Sequence, residues 1–222
     1  GRYHNDMNSR DTLVTELNVL ESFDPVIPES YQDCSYLMLG NLAPAIQRQV
    51  IRGMKNRPKL IAMDTMNFWM DIAMDDLKET ISLVDVLTIN DEEARQLSGE
   101  YSLLLAAEKI QEMGPKYLII KKGEHGALLF HGREMFYAPA LLLPSVADPT
   151  GAGDTFAGGF MGYLKSTDDV SFENMKRALV YGSALASFTV QRFGTEKIKE
   201  VSSAELESRM NEFKSLMSFT HK

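Results

Sequence analysis

Between Tyr36 and Ile120 short, unbroken apolar runs alternate with stretches of helical period. The runs are Tyr36–Leu39, Leu60–Met63, Val86–Ile89 and Tyr117–Ile120. Runs this short, without polar alternation, predict strands covered on both faces. Between them, Ala45 to Met54 places Ile46, Val50 and Met54 on one helical face, and helical windows follow over about Trp69 to Ser82, Asp91 to Leu97 and Leu103 to Met113. Strand and helix in alternation at this spacing fold into a mainly parallel sheet flanked by crossover helices, an α/β architecture.

The period changes outside that block. Residues from about Asp11 to Leu20 alternate, which predicts a half-exposed strand ended by Asp24-Pro25 and Ile27-Pro28. Leu128-Leu129-Phe130, the turn His131-Gly132 and Met135-Phe136-Tyr137 predict a β-hairpin beside the sheet, towards the C-terminal side of the parallel block. Phe172 to Val190 and Ala204 to Leu216 are two further helical windows. No internal repeat, low-complexity tract or linker divides the chain, so residues 1–222 are expected to form one domain.

Ligands of open parallel sheets sit outside the carboxyl ends of the strands. That rule puts Asn41, Asp64, Asn90 and the loop Gly151–Asp154 on one rim. The loop belongs to the run Ala147 to Gly162. Pro149 fixes a turn after Asp148, Gly151 and Gly153 remove two Cβ atoms, and Phe156, Phe160, Met161 and Leu164 then recur at helical spacing. A glycine bend that winds into a helix presents free N–H groups and a positive dipole end, which suit phosphate. A carboxylate in the same turn, Asp154, is unexpected for a site that only holds phosphate. It fits a site that also takes a proton from an attacking hydroxyl. An ordinary helix-start acid behind a turn is the alternative.

The other rim segments have two readings each. Asn90 and Glu93 are spaced to cap a helix reciprocally, and their oxygens equally suit Mg²⁺ or its waters. Asp64 is placed either to touch phosphate or a metal-bound water, or to cap the next helix. Lys121-Lys122-Gly123-Glu124-His125-Gly126 is a tight turn between strands, whose Lys121 or Lys122 either meets a phosphate or, as is usual at a strand end, is simply solvated.

Net charge is −8 with the acids dispersed, which argues against nucleic acid or an anionic membrane as partner. No apolar run reaches the length of a membrane span. The single cysteine, Cys34, rules out an internal disulfide and suits a reducing, cytoplasmic compartment. The thirteen Met residues are read as core filling.

Asp148-Pro149-Thr150-Gly151-Ala152-Gly153-Asp154-Thr155-Phe156 resembles the second signature of the ribokinase-like (PfkB) carbohydrate and nucleoside kinases. The resemblance implies a ribokinase-like α/β fold and an ATP-dependent transfer of phosphate to a primary hydroxyl of a sugar or nucleoside. Asp154 is then the general base, facing the substrate together with Asn41, and the amides of Gly151, Ala152 and Gly153 form the anion hole. Thr88-Ile89-Asn90-Asp91-Glu92-Glu93 is similar to the family's Asn-x-x-Glu motif, which ties Asn90 and Glu93 to Mg²⁺ and phosphate. The turn from Lys121 through Gly123 to Gly126 is similar to the segment beside the nucleotide; separately, the small residues of Tyr181-Gly182-Ser183-Ala184 suit helix–sheet packing first and a flat adenine against the helix second. Asp148 and Thr150, with Val190 to Thr195, match a loop that takes K⁺. A homodimer is compatible with the resemblance.

The resemblance also sets two expectations about the front of the chain. Residues to about 22 correspond to a small β-lid or to plain edge strands. The family's Gly-Gly substrate motif is not found ahead of the signature, so the chain is expected to lack the family's N-terminal third, and an inactive nucleotide-binding fragment is the alternative function. A hydroxymethylpyrimidine or pyridoxal kinase fits the form of the signature less well.

Overall fold

A computed structural model describes residues 2–3, 10–11 and 13–220. The chain divides into two compact units. One comprises Glu16–Lys121 with Leu128–Met135, and the other comprises Lys122–Ala127, the described part of Phe136–Lys222 and the described residues before Glu16.

Two short strands, β1 (Arg2–Tyr3) and β2 (Arg10–Asp11), pair antiparallel. The main sheet has six strands in the order β3 (Tyr36–Leu39), β4 (Leu60–Asp64), β5 (Val86–Asn90), β6 (Tyr117–Lys121), β7 (Ala127–His131) and β8 (Glu134–Ala138). From β3 to β6 every pairing is parallel, with Leu39 beside Met63, Asp64 beside Thr88 and Asn90 beside Lys121. Gly132-Arg133 joins the neighbours β7 and β8, a connection too short for any crossover.

In the first unit, helices α1 (Pro44–Arg52), α2 (Asn67–Ile72), α3 (Met74–Ile81), α4 (Asp91–Ser98) and α5 (Leu103–Gln111) follow the strands. Ile61, Met63, Leu87, Ile89, Leu118 and Ile120 share one core with Leu77, Ile81, Leu97 and Ile110 from these helices. Ala62, Val86, Thr88 and Ile119, on the alternate face, are equally buried, which explains why the strands read as continuous apolar runs. Pro44 starts α1 at its first turn, where a missing N–H costs nothing. The single helical window over Trp69 to Ser82 is two helices, because Ala73 (φ −144°, ψ 37°) breaks the ladder between α2 and α3.

In the second unit, α6 (Ala152–Thr167), α7 (Phe172–Thr189) and α8 (Ser203–Met217) bury Phe156, Phe160, Leu164, Met175, Leu179, Phe188 and Phe213. Gly182 of α7 serves helix–helix packing, since a Cβ on it would lie 2.6 Å from the Phe156 carbonyl of α6.

The strand expected over Asp11 to Leu20 does not form beyond Asp11. Leu13 to Glu16 are extended or irregular and Asn18–Leu20 is a single 3₁₀ turn, while Thr12 lies outside the described residues. Alternation alone was a weak signal there: Leu13, Val14 and Val19 are all exposed, so no buried face enforces a strand. No helix among the described residues is long and apolar enough to cross a membrane.

Candidate active site

The second unit carries the glycine loop. Asp148 accepts the amide of Thr150 at 2.9 Å, closing a tight turn, and the amides of Ala147 and Asp148 both point at the Val190 carbonyl (2.8 and 3.4 Å). Hydrogen bonds from the backbone and side chain of Thr150, and from the Gly194 backbone, hold the Asp148 carboxyl below its usual range. Asp148 is therefore the staple between this loop and the end of α7. Its carboxylate is occupied in that task, and the Val190 carbonyl already accepts twice.

Gly151 then takes φ +83°, a left-handed conformation that favours glycine, and serves as the N-cap of α6. The Ala152 amide donates to Pro149 at 3.2 Å and the Thr155 amide to Gly151 at 2.9 Å. Among the described residues, the amides of Gly151, Gly153 and Asp154 have no such partner. Three donors are thus left at the dipole end of a sixteen-residue helix. They overlap the trio expected from sequence, with the Asp154 amide free where that of Ala152 is engaged. The Asp154 side chain is exposed and has no hydrogen-bond or ion-pair partner among the described residues. Thr155, next in the chain, accepts from Thr189 at 3.0 Å and ties the start of α6 to the end of α7. From Thr155 an open groove of about 480 Å³ runs between α6 and α7 past Gly158, Gly162, Tyr163 and Tyr181. Ser183 is half-buried on α7.

Gly123 (φ +54°) and Gly126 (φ +92°) bound the turn before β7. Sequence alone leaves Gly126 free to admit a nucleotide. The structure gives an internal reason for it as well, since a Cβ at Gly126 would collide with the Ala138 carbonyl and the Ala140 amide. The Lys122 amide donates to the Gly126 carbonyl at 2.8 Å, and Tyr137 donates to the His125 carbonyl.

The first unit brings Asp64, Asn90, Glu93 and Lys121 together at the carboxyl ends of β4, β5 and β6. Asn90 and Glu93 form a complete capping box at the start of α4: Asn90 Oδ1 accepts the Glu93 amide and Glu93 Oε2 accepts the Asn90 amide, each at 2.7 Å. Glu93 is 6% exposed. Burial pushes its carboxyl up from 4.5 to about 7, against the Asn90 hydrogen bond and the charge of Lys121, which pull it down. Lys121 Nζ lies 3.1 and 3.3 Å from the two carboxylate oxygens of Asp64. Gln47 donates both to the Gly40 carbonyl (2.7 Å) and to the Asp64 carbonyl (3.0 Å), tying the ends of β3 and β4. Asn41 is exposed, and its Oδ1 accepts from Trp69 Nε1 at 2.8 Å, so its carbonyl side is committed to the fold. The Asp64–Lys121 pair, 57 residues apart, has no local sequence signal; the strand-end rule places Asp64 on the rim, and the strand order β4-β5-β6 brings Lys121 to the same end.

A hard divalent cation fits this donor set through one carboxylate and its own waters. Glu93 Oε2 is engaged with the Asn90 amide, the buried carboxylate lacks full charge compensation, and no cluster of three or more acidic, His or Cys groups exists among the described residues. An all-protein cage does not fit. Asp148 lies in the other unit, occupied as described.

The chain matches the pfkB family carbohydrate kinases over residues 3–201. It is 30% identical to a cytidine kinase of Thermococcus kodakarensis over 169 residues, 73% of this chain and 59% of the relative. Against a ribokinase of Staphylococcus aureus it is 31% identical over 123 residues, 53% of this chain and 39% of that one. The solved structure of a putative ribokinase II from E. coli in complex with ATP and Mg²⁺ superposes with a TM-score of 0.67 at 23% identity, covering 82% of this chain and 60% of the other. The chain therefore spans about three fifths or less of the length of these relatives.

Proposed function

The chain belongs to the pfkB family of carbohydrate kinases, and on that premise we propose that it moves the γ-phosphoryl group of ATP to a primary hydroxyl of a sugar or nucleoside. The proposal takes residues 1–222 as one ribokinase-like domain. The observation that carries it is the start of α6, where an exposed, unpartnered carboxylate stands among unpartnered backbone amides. An anion hole beside a base is what phosphoryl transfer to an alcohol needs.

In this proposal Asp154 accepts the proton of the acceptor hydroxyl as the oxygen attacks, and its exposure leaves it able to pass that proton to water. The amides of Gly151, Gly153 and Asp154 donate to the oxygens of the transferring phosphoryl. Donors held this way are worth about 3–4 kcal/mol each when removed, by analogy with oxyanion holes. Lys121 supplies positive charge to the phosphates, and Gly123 and Gly126 keep the turn beside it narrow. Asn90 fixes Glu93 through the capping box, and Glu93 is the carboxylate that would hold Mg²⁺. When bound, Mg²⁺ neutralises charge on the phosphates. Thr150 and Asp148 shape the loop, and that loop with the stretch Val190 to Thr195 is the site offered to K⁺. Ser183 and the small face of α7 are assigned to the adenine side, and Asn41 to the acceptor side through its amide nitrogen.

Cytidine and ribose, the acceptors named by the two curated relatives, share a ribose with a primary hydroxyl, which supports that acceptor class. Calorimetry with ATP and Mg²⁺, beside product detection over a panel of ribose, fructose and nucleosides, tests the proposal. A phosphorylated acceptor supports it. ATP binding with every acceptor left unmodified favours nucleotide binding alone, and no ATP binding overturns it.

A further inference from the structure

Asp64 has no part in the chemistry assigned above, yet it is the hub of the first unit's rim. It is 8% exposed, its carboxylate accepts the Thr65 amide at 3.0 Å, and it grips Lys121 with both oxygens. Lys121 is in register with Asn90, and the Glu93 carboxylate sits 2.7 Å from the Asn90 amide. The root of the Lys121 side chain is therefore about one strand spacing, roughly 5 Å, from the backbone to which Glu93 is bonded. A lysine stem reaches either carboxylate from there.

We propose that Asp64 is a positioning residue of the phosphate-donor site, pinning the Lys121 ammonium so that it does not close on Glu93. Were the two to pair, Glu93 would lose the free charge that a cation needs, and Lys121 would be withdrawn from the nucleotide. Asp64 prevents both by being the better partner: it offers two oxygens on the same face of the sheet. Two further observations point to a ligand completing this cluster. The hydroxyls of Thr65, next in the chain, and Thr88, in register with Asp64, are buried (4% and 1% exposed) and have no hydrogen-bond partner among the described residues. A buried hydroxyl left unpaired is costly, and a bound phosphate oxygen or a water beside it satisfies the pair. This inference rests on the reading of Glu93 and Lys121 as donor-site residues.

The test is ATP affinity by calorimetry, with Mg²⁺ and with the metal chelated, for the full chain and for Asp64→Asn, Asp64→Glu and Asp64→Asn/Lys121→Met. Wild type is expected to gain about tenfold or more in affinity from Mg²⁺, and Asp64→Asn to gain less than about threefold. Asp64→Glu recovers part of the gain. The double variant recovers most of it, because no ammonium remains to capture Glu93. A double variant as poor as Asp64→Asn overturns the proposal, since Asp64 would then serve the metal directly. A crystal structure of Asp64→Asn gives a second readout that needs no nucleotide: Lys121 Nζ within ion-pair distance of Glu93 supports the pinning role, and Nζ unmoved contradicts it. Should wild type bind no ATP at all, the donor-site reading fails on its own, and the structural readout still decides whether Asp64 keeps the two apart.

Discussion

Glu93→Gln is the perturbation whose size the structure sets most directly. Burial raises the Glu93 carboxyl from 4.5 to about 7. Below about pH 4.5 the group is protonated folded or unfolded, and it contributes no pH-dependent difference. Between 4.5 and 7 the unfolded chain releases a proton that the folded chain keeps, so stability falls as pH rises. Above 7 both states are ionised and the loss is complete. The rise from 4.5 to about 7, at about 1.4 kcal/mol for each tenfold change in proton affinity, amounts to about 3 kcal/mol of destabilisation at alkaline pH. Glutamine keeps the capping box, since its carbonyl still accepts the Asn90 amide, and it removes the titration. Urea unfolding of both proteins at intervals from pH 5 to 9 is the assay. The variant is expected to become the more stable by about 2–3 kcal/mol as pH rises from 5 to 8, while the same substitution weakens the Mg²⁺-dependent part of ATP binding. A stability difference that stays constant across that range refutes the reasoning.

Asp85→Ala is expected to destabilise by about 3–5 kcal/mol, because the buried Asp85 carboxylate accepts the Ile61 amide and pairs with Arg57 at 3.0 Å; thermal melts with Arg57→Met alongside check it. Gly158→Ala, where no atom stands near the missing Cβ, should stabilise by about 0.5–1 kcal/mol, whereas Gly182→Ala should destabilise because its Cβ would meet the Phe156 carbonyl; the two melts must differ in sign. Asp148→Asn loosens the staple to Thr150 and Gly194. Because the Asp148 carboxyl is held low, its contribution is present above the ordinary carboxylate range and fades as pH falls, so wild type and variant should converge in acid by hydrogen exchange of the Thr150 amide.

The parallel sheet was legible because strands buried on both faces leave continuous apolar runs, and Leu60 to Met63 or Val86 to Ile89 admit little else. The glycine loop was legible because a left-handed N-cap such as Gly151 favours glycine. The lid strand was not, since residues 13–20 have no buried face to give their alternation force. Ala152 was grouped with its neighbours because sequence shows which amides begin a helix, and only coordinates show which of them a turn has already used. Gly126 and Gly182 were open to ligand readings until the backbone atoms beside them were located. The link between Asp64 and Lys121 spans 57 residues and depends on strand order, which local pattern does not carry.

The central claim is that Asp154 removes a proton at an anion-binding helix start. Single-turnover transfer from radiolabelled ATP to the acceptor found in the panel, wild type against Asp154→Asn at matched ATP occupancy, tests it most directly. The account predicts a fall of two or more orders of magnitude in the transfer rate with ATP affinity nearly unchanged. An Asp154→Asn protein that transfers phosphate at the wild-type rate would contradict it.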